Sequence, residues 1–88
     1  MSMMKWGESL MFSKRLRALR MKHGFTQQKM ADMLNLSLNA YQKYEQAERM
    51  PAYDCLVRIA DIFNVPTDFL LDRDDFLRSL GVNVDEYL

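Results

Sequence analysis

Two apolar stripes of helical spacing, Met30-Ala31-Leu34 and Ala40-Tyr41-Tyr44, stand with only Asn35, Leu36 and Ser37 between them. Asparagine is among the few non-glycine residues that enter left-handed backbone at small cost, so the chain can reverse at Asn35. Leu36 is placed to fill the corner, and the Ser37 hydroxyl is a good cap for the helix that follows. A connection this short predicts two helices crossing at a steep angle, the arrangement of a helix-turn-helix.

The rest of the chain reads as helix too. Phe12, Leu16 and Leu19 recur at helical spacing in a first helix that His23-Gly24 can close. Thr26 can cap the short second helix. Met50-Pro51 punctuates the chain near the start of a fourth helix carrying Cys55, Leu56, Ile59, Ala60 and Phe63. Asn64-Val65-Pro66-Thr67 then leads into a short fifth helix, "TDFLL". A faint repeat links "FNVPTDFLL" with "LGVNVDEYL", predicting two similar capped turns. The expected fold is all-α: a compact five-helix bundle with a helix-turn-helix, plus a short C-terminal helical extension. Residues 1–10 are expected as an arm or extension, 11–71 as the domain, and 72–88 as an apolar and acidic extension. Phe76, Leu77, Leu80, Val82, Val84, Tyr87 and Leu88 are too apolar for a solvated tail, so they should pack on the core or on another subunit.

At 88 residues the chain has the size of one small domain, which leaves no room for a separate sensor domain. Cys55 is the single cysteine and has no partner in the chain, which suits a reducing cytoplasm. No apolar run approaches the roughly 20 residues needed to span a bilayer, and no secretory signal opens the chain. The formal net charge is zero, but its distribution is uneven. Up to Arg49, nine cations oppose four anions (+5); from Met50 onward, three oppose eight (−5). Such a charge dipole offers one side to a polyanion, although charge runs are more often plain solvated surface.

The third helix has two faces. Ala40, Tyr41 and Tyr44 form an inward stripe; Leu38, Asn39, Gln42 and Lys43 form the opposite one, rich in hydrogen-bonding groups and poor in charge. That composition suits discrimination among base pairs, because a purely basic helix would bind any duplex. The plain alternative is an ordinary exposed helix face. Elsewhere the residues point away from chemistry. His23, at a helix end, should meet terminal carbonyls and solvent, and it has no metal-site companions. Cys55 has no identifiable base and reads as a small core or half-buried residue. The eight methionines read as core filler. No catalytic set, metal site or cofactor motif is expected, so the chain is not read as an enzyme.

Residues 12–71 resemble the phage-repressor and Cro class of bacterial helix-turn-helix proteins, the XRE family. "FSKRLRALRMKHGFTQQKMADMLNLS" resembles its first two helices and turn, "AYQKYEQAERMP" its third helix and exit loop, and "LVRIADIFNVPTDFLL" its last two helices. The resemblance implies that Leu38, Asn39 and Lys43 face bases, with Gln42 at the edge of reach. It also implies that Gln27 braces the reading helix and meets DNA backbone, and that Arg20 and Glu45 form a structural ion pair. Backbone contacts are expected from Thr26, Gln27, Gln28, Lys29, Gln46 and Arg49. Lys14, Arg15, Arg17 and Lys22 are expected to face solvent, with at most one of them reaching the DNA backbone. Three departures from the family pattern stand out: Ala47 replaces a glycine after the third helix, Ala52 replaces the serine cap, and Glu48 adds a negative charge near expected phosphates.

The resulting expectation is a sequence-specific double-stranded DNA-binding regulator, a repressor acting as a homodimer on a two-fold related operator. The extension from Phe76 to Leu88 is the candidate dimer element. Two rivals are an antitoxin-type regulator that also covers a protein partner with its tail, and a protein-binding adaptor that kept the fold and lost DNA.

Overall fold

A computed structural model describes residues 6–88, with side chains from Leu10 onward. Its described residues form six α-helices and a closing 3-10 turn: α1 Trp6–Lys22, α2 Gln27–Met33, α3 Leu38–Glu45, α4 Tyr53–Phe63, α5 Thr67–Leu70, α6 Asp74–Ser79, then Val84–Tyr87. The five expected helices are present through Leu70, and the extension supplies the sixth. Helix α1 starts at Trp6, so residues 6–10 of the expected arm are helical. Residues 1–5 of that arm lie outside the described residues.

All six helices stop by the same device. Within two residues of the end of each, one residue takes left-handed backbone: Gly24 (φ 72°), Asn35 (58°), Ala47 (61°), Asn64 (54°), Asp72 (60°) and Gly81 (83°). The next amide then reaches back to satisfy a carbonyl of the last turn, as in Phe25 N to Arg20 O (3.1 Å), Leu36 N to Ala31 O (2.8 Å) and Glu48 N to Lys43 O (3.0 Å). The faint repeat is this device used twice. Val65 N bonds Ala60 O and Val82 N bonds Leu77 O, both at 3.0 Å, and each valine leads into a short helical turn.

The core gathers one stripe from every element: Phe12, Leu16 and Leu19 of α1, Met30 and Ala31 of α2, Tyr41 and Tyr44 of α3, Leu56, Ile59, Ala60 and Phe63 of α4, and Phe69 and Leu70 of α5. Leu77 and Val84 join it, so the extension packs on the core along one side. Phe76, Leu80 and Leu88 stay exposed. Of the described methionines Met30 is buried, but Met21 is largely exposed, so core filler describes only part of the set.

One expectation fails in this packing. Arg15 does not face solvent: its guanidinium donates to both oxygens of Asp74 (2.8 Å each) and to the Phe69 carbonyl (2.6 Å), and it lies 4.3 Å over the Phe69 ring. Asp72 is a further partner at 3.5 Å. The sequence hid this because the partners lie on a segment about sixty positions away, and a basic residue between core positions looks like ordinary surface. Lys14, Arg17 and Lys22 are exposed, with the Lys22 ammonium 3.4 Å from the Leu88 carbonyl.

Candidate nucleic-acid interface

Two capped helices set the geometry of the site. The Thr26 hydroxyl accepts the Lys29 amide (3.0 Å) at the start of α2, and the Ser37 hydroxyl accepts the Ala40 amide (3.1 Å) at the start of α3. Between them Asn35 makes the left-handed reversal, and Leu36 packs against the core. Tyr41 and Tyr44 sit inside with their rings edge to face, centroids 6.4 Å apart. Burying that stripe fixes the rotation of α3 about its axis and turns the opposite stripe outward.

A polar network behind α3 locks its position. Arg20 Nε and Nη2 donate to Glu45 Oε2 (2.6 Å) and Oε1 (3.1 Å), while Arg20 Nη1 donates to the Phe25 carbonyl (2.9 Å). The Tyr41 hydroxyl also donates to Glu45 Oε2. The Glu45 side chain is only 4% exposed, so its charge persists only because it is paired on several sides. Burial by itself would push its carboxyl up, but hydrogen bonds from Arg20, Tyr41 and Gln27 outweigh that and hold it below the ordinary range. Burial first, then the neighbouring carboxylate, raises the Tyr41 phenol far above its ordinary value, so it remains a donor. The Arg20–Glu45 pair ties α1 to α3.

The outward stripe is open. Asn39 is exposed, and Leu38, Gln42 and Lys43 are half-buried. Gln42 is not free: its Nε2 donates to Gln27 Oε1 (3.1 Å), and Gln27 Nε2 donates to Glu45 Oε1 (3.1 Å). Gln27 therefore spends one donor and one acceptor inside the protein, as a brace between α2 and α3. Gln28 Nε2 donates to Asp32 (2.9 Å), and Lys29, Gln46 and Arg49 are exposed around the stripe. The resemblance implied that Gln27 braces the reading helix, but nothing in the sequence named Gln42 as its partner there. His23 Nδ1 stands 3.0 Å from the Leu19 carbonyl, with its ring against Phe25 and Phe63, which accounts for it structurally. Cys55 is half-buried, and burial pushes its thiol up, away from reactivity.

The exit from α3 carries the departures. Ala47 takes φ 61°, where a β-carbon is crowded, and Glu48 is exposed. Ala52 is the N-cap of α4 and makes no side-chain cap bond; Asp54 accepts the Cys55 amide instead (2.9 Å).

Comparison with known proteins agrees with this geometry. The HTH-type transcriptional regulator ImmR of Bacillus subtilis is 40% identical over 62 residues, covering 70% of this chain and 49% of that protein. The SPbeta prophage-derived regulator YonR, also of Bacillus subtilis, is 41% identical over 61 residues, covering 69% and 56%. The cryptic phage CTXphi transcriptional repressor RstR of Vibrio cholerae is 44% identical over 48 residues, covering 54% and 43%. The chain thus spans about half the length of the curated relatives it matches. Among solved structures, the restriction-modification controller protein C.AhdI of Aeromonas hydrophila superposes with a TM-score of 0.66 at 22% identity, covering 73% of this chain and 97% of that one, a likeness of fold. Residues 16–70 match the helix-turn-helix family, and the chain belongs to it.

Proposed function

We propose that the chain is a sequence-specific double-stranded DNA-binding transcription regulator that represses by occupying a two-fold related operator as a homodimer. One observation carries this reading: α3 buries Tyr41 and Tyr44 while leaving Leu38, Asn39, Gln42 and Lys43 accessible along its opposite edge. An α-helix fits the major groove, where amide and cationic side chains can tell base pairs apart. Asn39 suits adenine through paired hydrogen bonds, Lys43 suits guanine acceptors or a phosphate, and Leu38 can cover a thymine methyl. Thr26, Gln28, Lys29, Gln46 and Arg49 surround that edge, and their role is to hold phosphates and set register, with Gln27 contributing what its brace leaves free. The relatives named as transcriptional regulators and repressors support the same reading.

A single small domain makes few base contacts, so doubling the half-site is the expected route to tight binding. The exposed Phe76, Leu80 and Leu88 suit the partner copy. They also favour a second reading, an antitoxin-type regulator whose extension covers a different protein. Selection from a random duplex pool, followed by titration of the winner at two salt concentrations, tests the DNA reading. A selected sequence bound more tightly than a scrambled one, with affinity falling as salt rises, supports it. Equal affinity for both, or no binding, overturns it in favour of an adaptor. Light scattering of the free protein separates a homodimer from a monomer awaiting another partner.

A further inference from the structure

Beside α1 lies a hollow with an apolar floor and a cation at its edge. Its volume is about 570 Å3, within the range of small-molecule sites. Ala18 and Leu19 of α1, Phe69 of α5, and Tyr87 and Leu88 of the extension line it. The Phe69 and Tyr87 rings meet at 5.3 Å between centroids, which ties the floor to the extension. Arg15 and Lys22 also border the hollow, seven positions apart in sequence and so about 10 Å apart along the helix. The two cations are not equivalent. Arg15 gives both of its terminal nitrogens to Asp74 and covers the Phe69 ring. Lys22 is exposed, and its ammonium has the Leu88 carbonyl at 3.4 Å, longer than a charged hydrogen bond ordinarily is. Lys22 borders a second hollow as well, to which His23, Asn64 and Glu86 bring polar groups. It therefore stands where an apolar hollow passes into a polar one.

We infer that the first hollow is a binding site for a small amphiphilic carboxylate, a free medium-chain fatty acid. Its head group takes the place of the Leu88 carbonyl oxygen on Lys22, and its alkyl tail lies along Ala18 and Leu19, against Phe69 and Tyr87, toward Arg15. A single charge at one end is what the hollow asks for, because Asp74 already neutralises the cation at the other. Glu86 repels an anion that moves past Lys22 into the polar hollow, which keeps the head at the junction. The tail gives the affinity, by taking apolar surface of ligand and protein out of water together. Binding here needs no DNA, so this inference stands or falls apart from the function proposed above.

Amide shift titration of the full chain with octanoate, below its micelle concentration, tests the site, with octylamine and 1-octanol as controls of the same length. Octanoate should saturate in the millimolar range or below and move the amides of Ala18, Lys22, Tyr87 and Leu88. It should bind about three-fold more tightly than 1-octanol, with octylamine weakest. Hexanoate should bind about ten-fold more weakly than octanoate, since each buried methylene is worth about three- to four-fold. Lys22→Gln should bring octanoate and 1-octanol to equal affinity, and Lys22→Glu should reverse the order in favour of octylamine. Ala18 is exposed, so Ala18→Phe fills the hollow without entering the core and should abolish binding of all three. Thermal unfolding of each variant establishes that it folds. No saturable binding, shifts confined to other parts of the chain, or equal affinity of the native chain for octanoate, 1-octanol and octylamine overturns the inference. Octanoate affinity unchanged in both Lys22→Gln and Ala18→Phe overturns it too.

Discussion

The Arg15 guanidinium and the Asp74 carboxylate meet through two parallel hydrogen bonds of 2.8 Å, joining α1 to the first turn of α6 across fifty-nine positions of sequence. The pair is mostly shielded, with 11% and 19% of the two side chains exposed, and Arg15 also caps the Phe69 carbonyl. Removing the arginine leaves Asp74 without its side-chain donors and that carbonyl with only the Asp72 amide, at 3.2 Å. Arg15→Ala should therefore cost about 2–3 kcal/mol, read from urea unfolding. Amide exchange in α6 should rise more than in α2 and α3. An unchanged midpoint would mean that the extension holds to the core through its apolar contacts, Leu77, Val82, Val84 and Tyr87, without help from the ion pair.

Ala47 occupies a left-handed position that glycine fills without crowding. Ala47→Gly should stabilise the chain by about 0.5–1 kcal/mol, the relief of a crowded β-carbon less the extra freedom glycine gives the unfolded chain. Thermal melts compare the two, and a lower melting temperature for the glycine variant would contradict it.

The N-cap of α4, Ala52, has the extended backbone of a cap (φ −66°, ψ 166°) but no side-chain acceptor. Ala52→Ser keeps the backbone and adds a hydroxyl for the free amides, so a gain of about 1 kcal/mol is expected in the same melts.

The Glu45 and Asp74 carboxyls are both held below their ordinary values of 4.5 and 3.8: Glu45 by donors that outweigh its burial, Asp74 chiefly by its hydrogen bonds to Arg15. A depressed folded value means stability that is fully present above the ordinary value and is lost as pH falls through the folded one. Urea midpoints should stay level as pH falls from about 7 toward about 5 and then decline in the acid range. Asp74→Asn should start lower at neutral pH and decline less. A variant as acid-sensitive as the native chain would show that Asp74 contributes nothing to that loss.

The bundle was legible because its signals are local. Asn35-Leu36-Ser37 announces the turn, Thr26 and Ser37 announce the caps, and periodic apolar residues announce each buried stripe. The rotation of α3 was legible too, since burying Tyr41 and Tyr44 leaves no freedom for Asn39 and Lys43. Side-chain pairing between distant segments was not. Nothing near Arg15 distinguishes it from Lys14 or Arg17 until α6 brings Asp74 beside it. Gln27 and Gln42, fifteen positions apart, could be expected near each other, but only the Glu45 carboxylate decides which way their amides point.

Affinity of the native chain and of Asn39→Ala for the selected duplex, and for versions altered one base pair at a time, measures most directly whether the outer edge of α3 reads sequence. The expected result is a loss of about 1–3 kcal/mol of discrimination at one base pair in Asn39→Ala, with other positions unaffected, whereas Arg49→Ala weakens every duplex alike and lowers the salt slope. The same position-by-position profile in native chain and Asn39→Ala, or a native chain that binds all the duplexes equally, would contradict it.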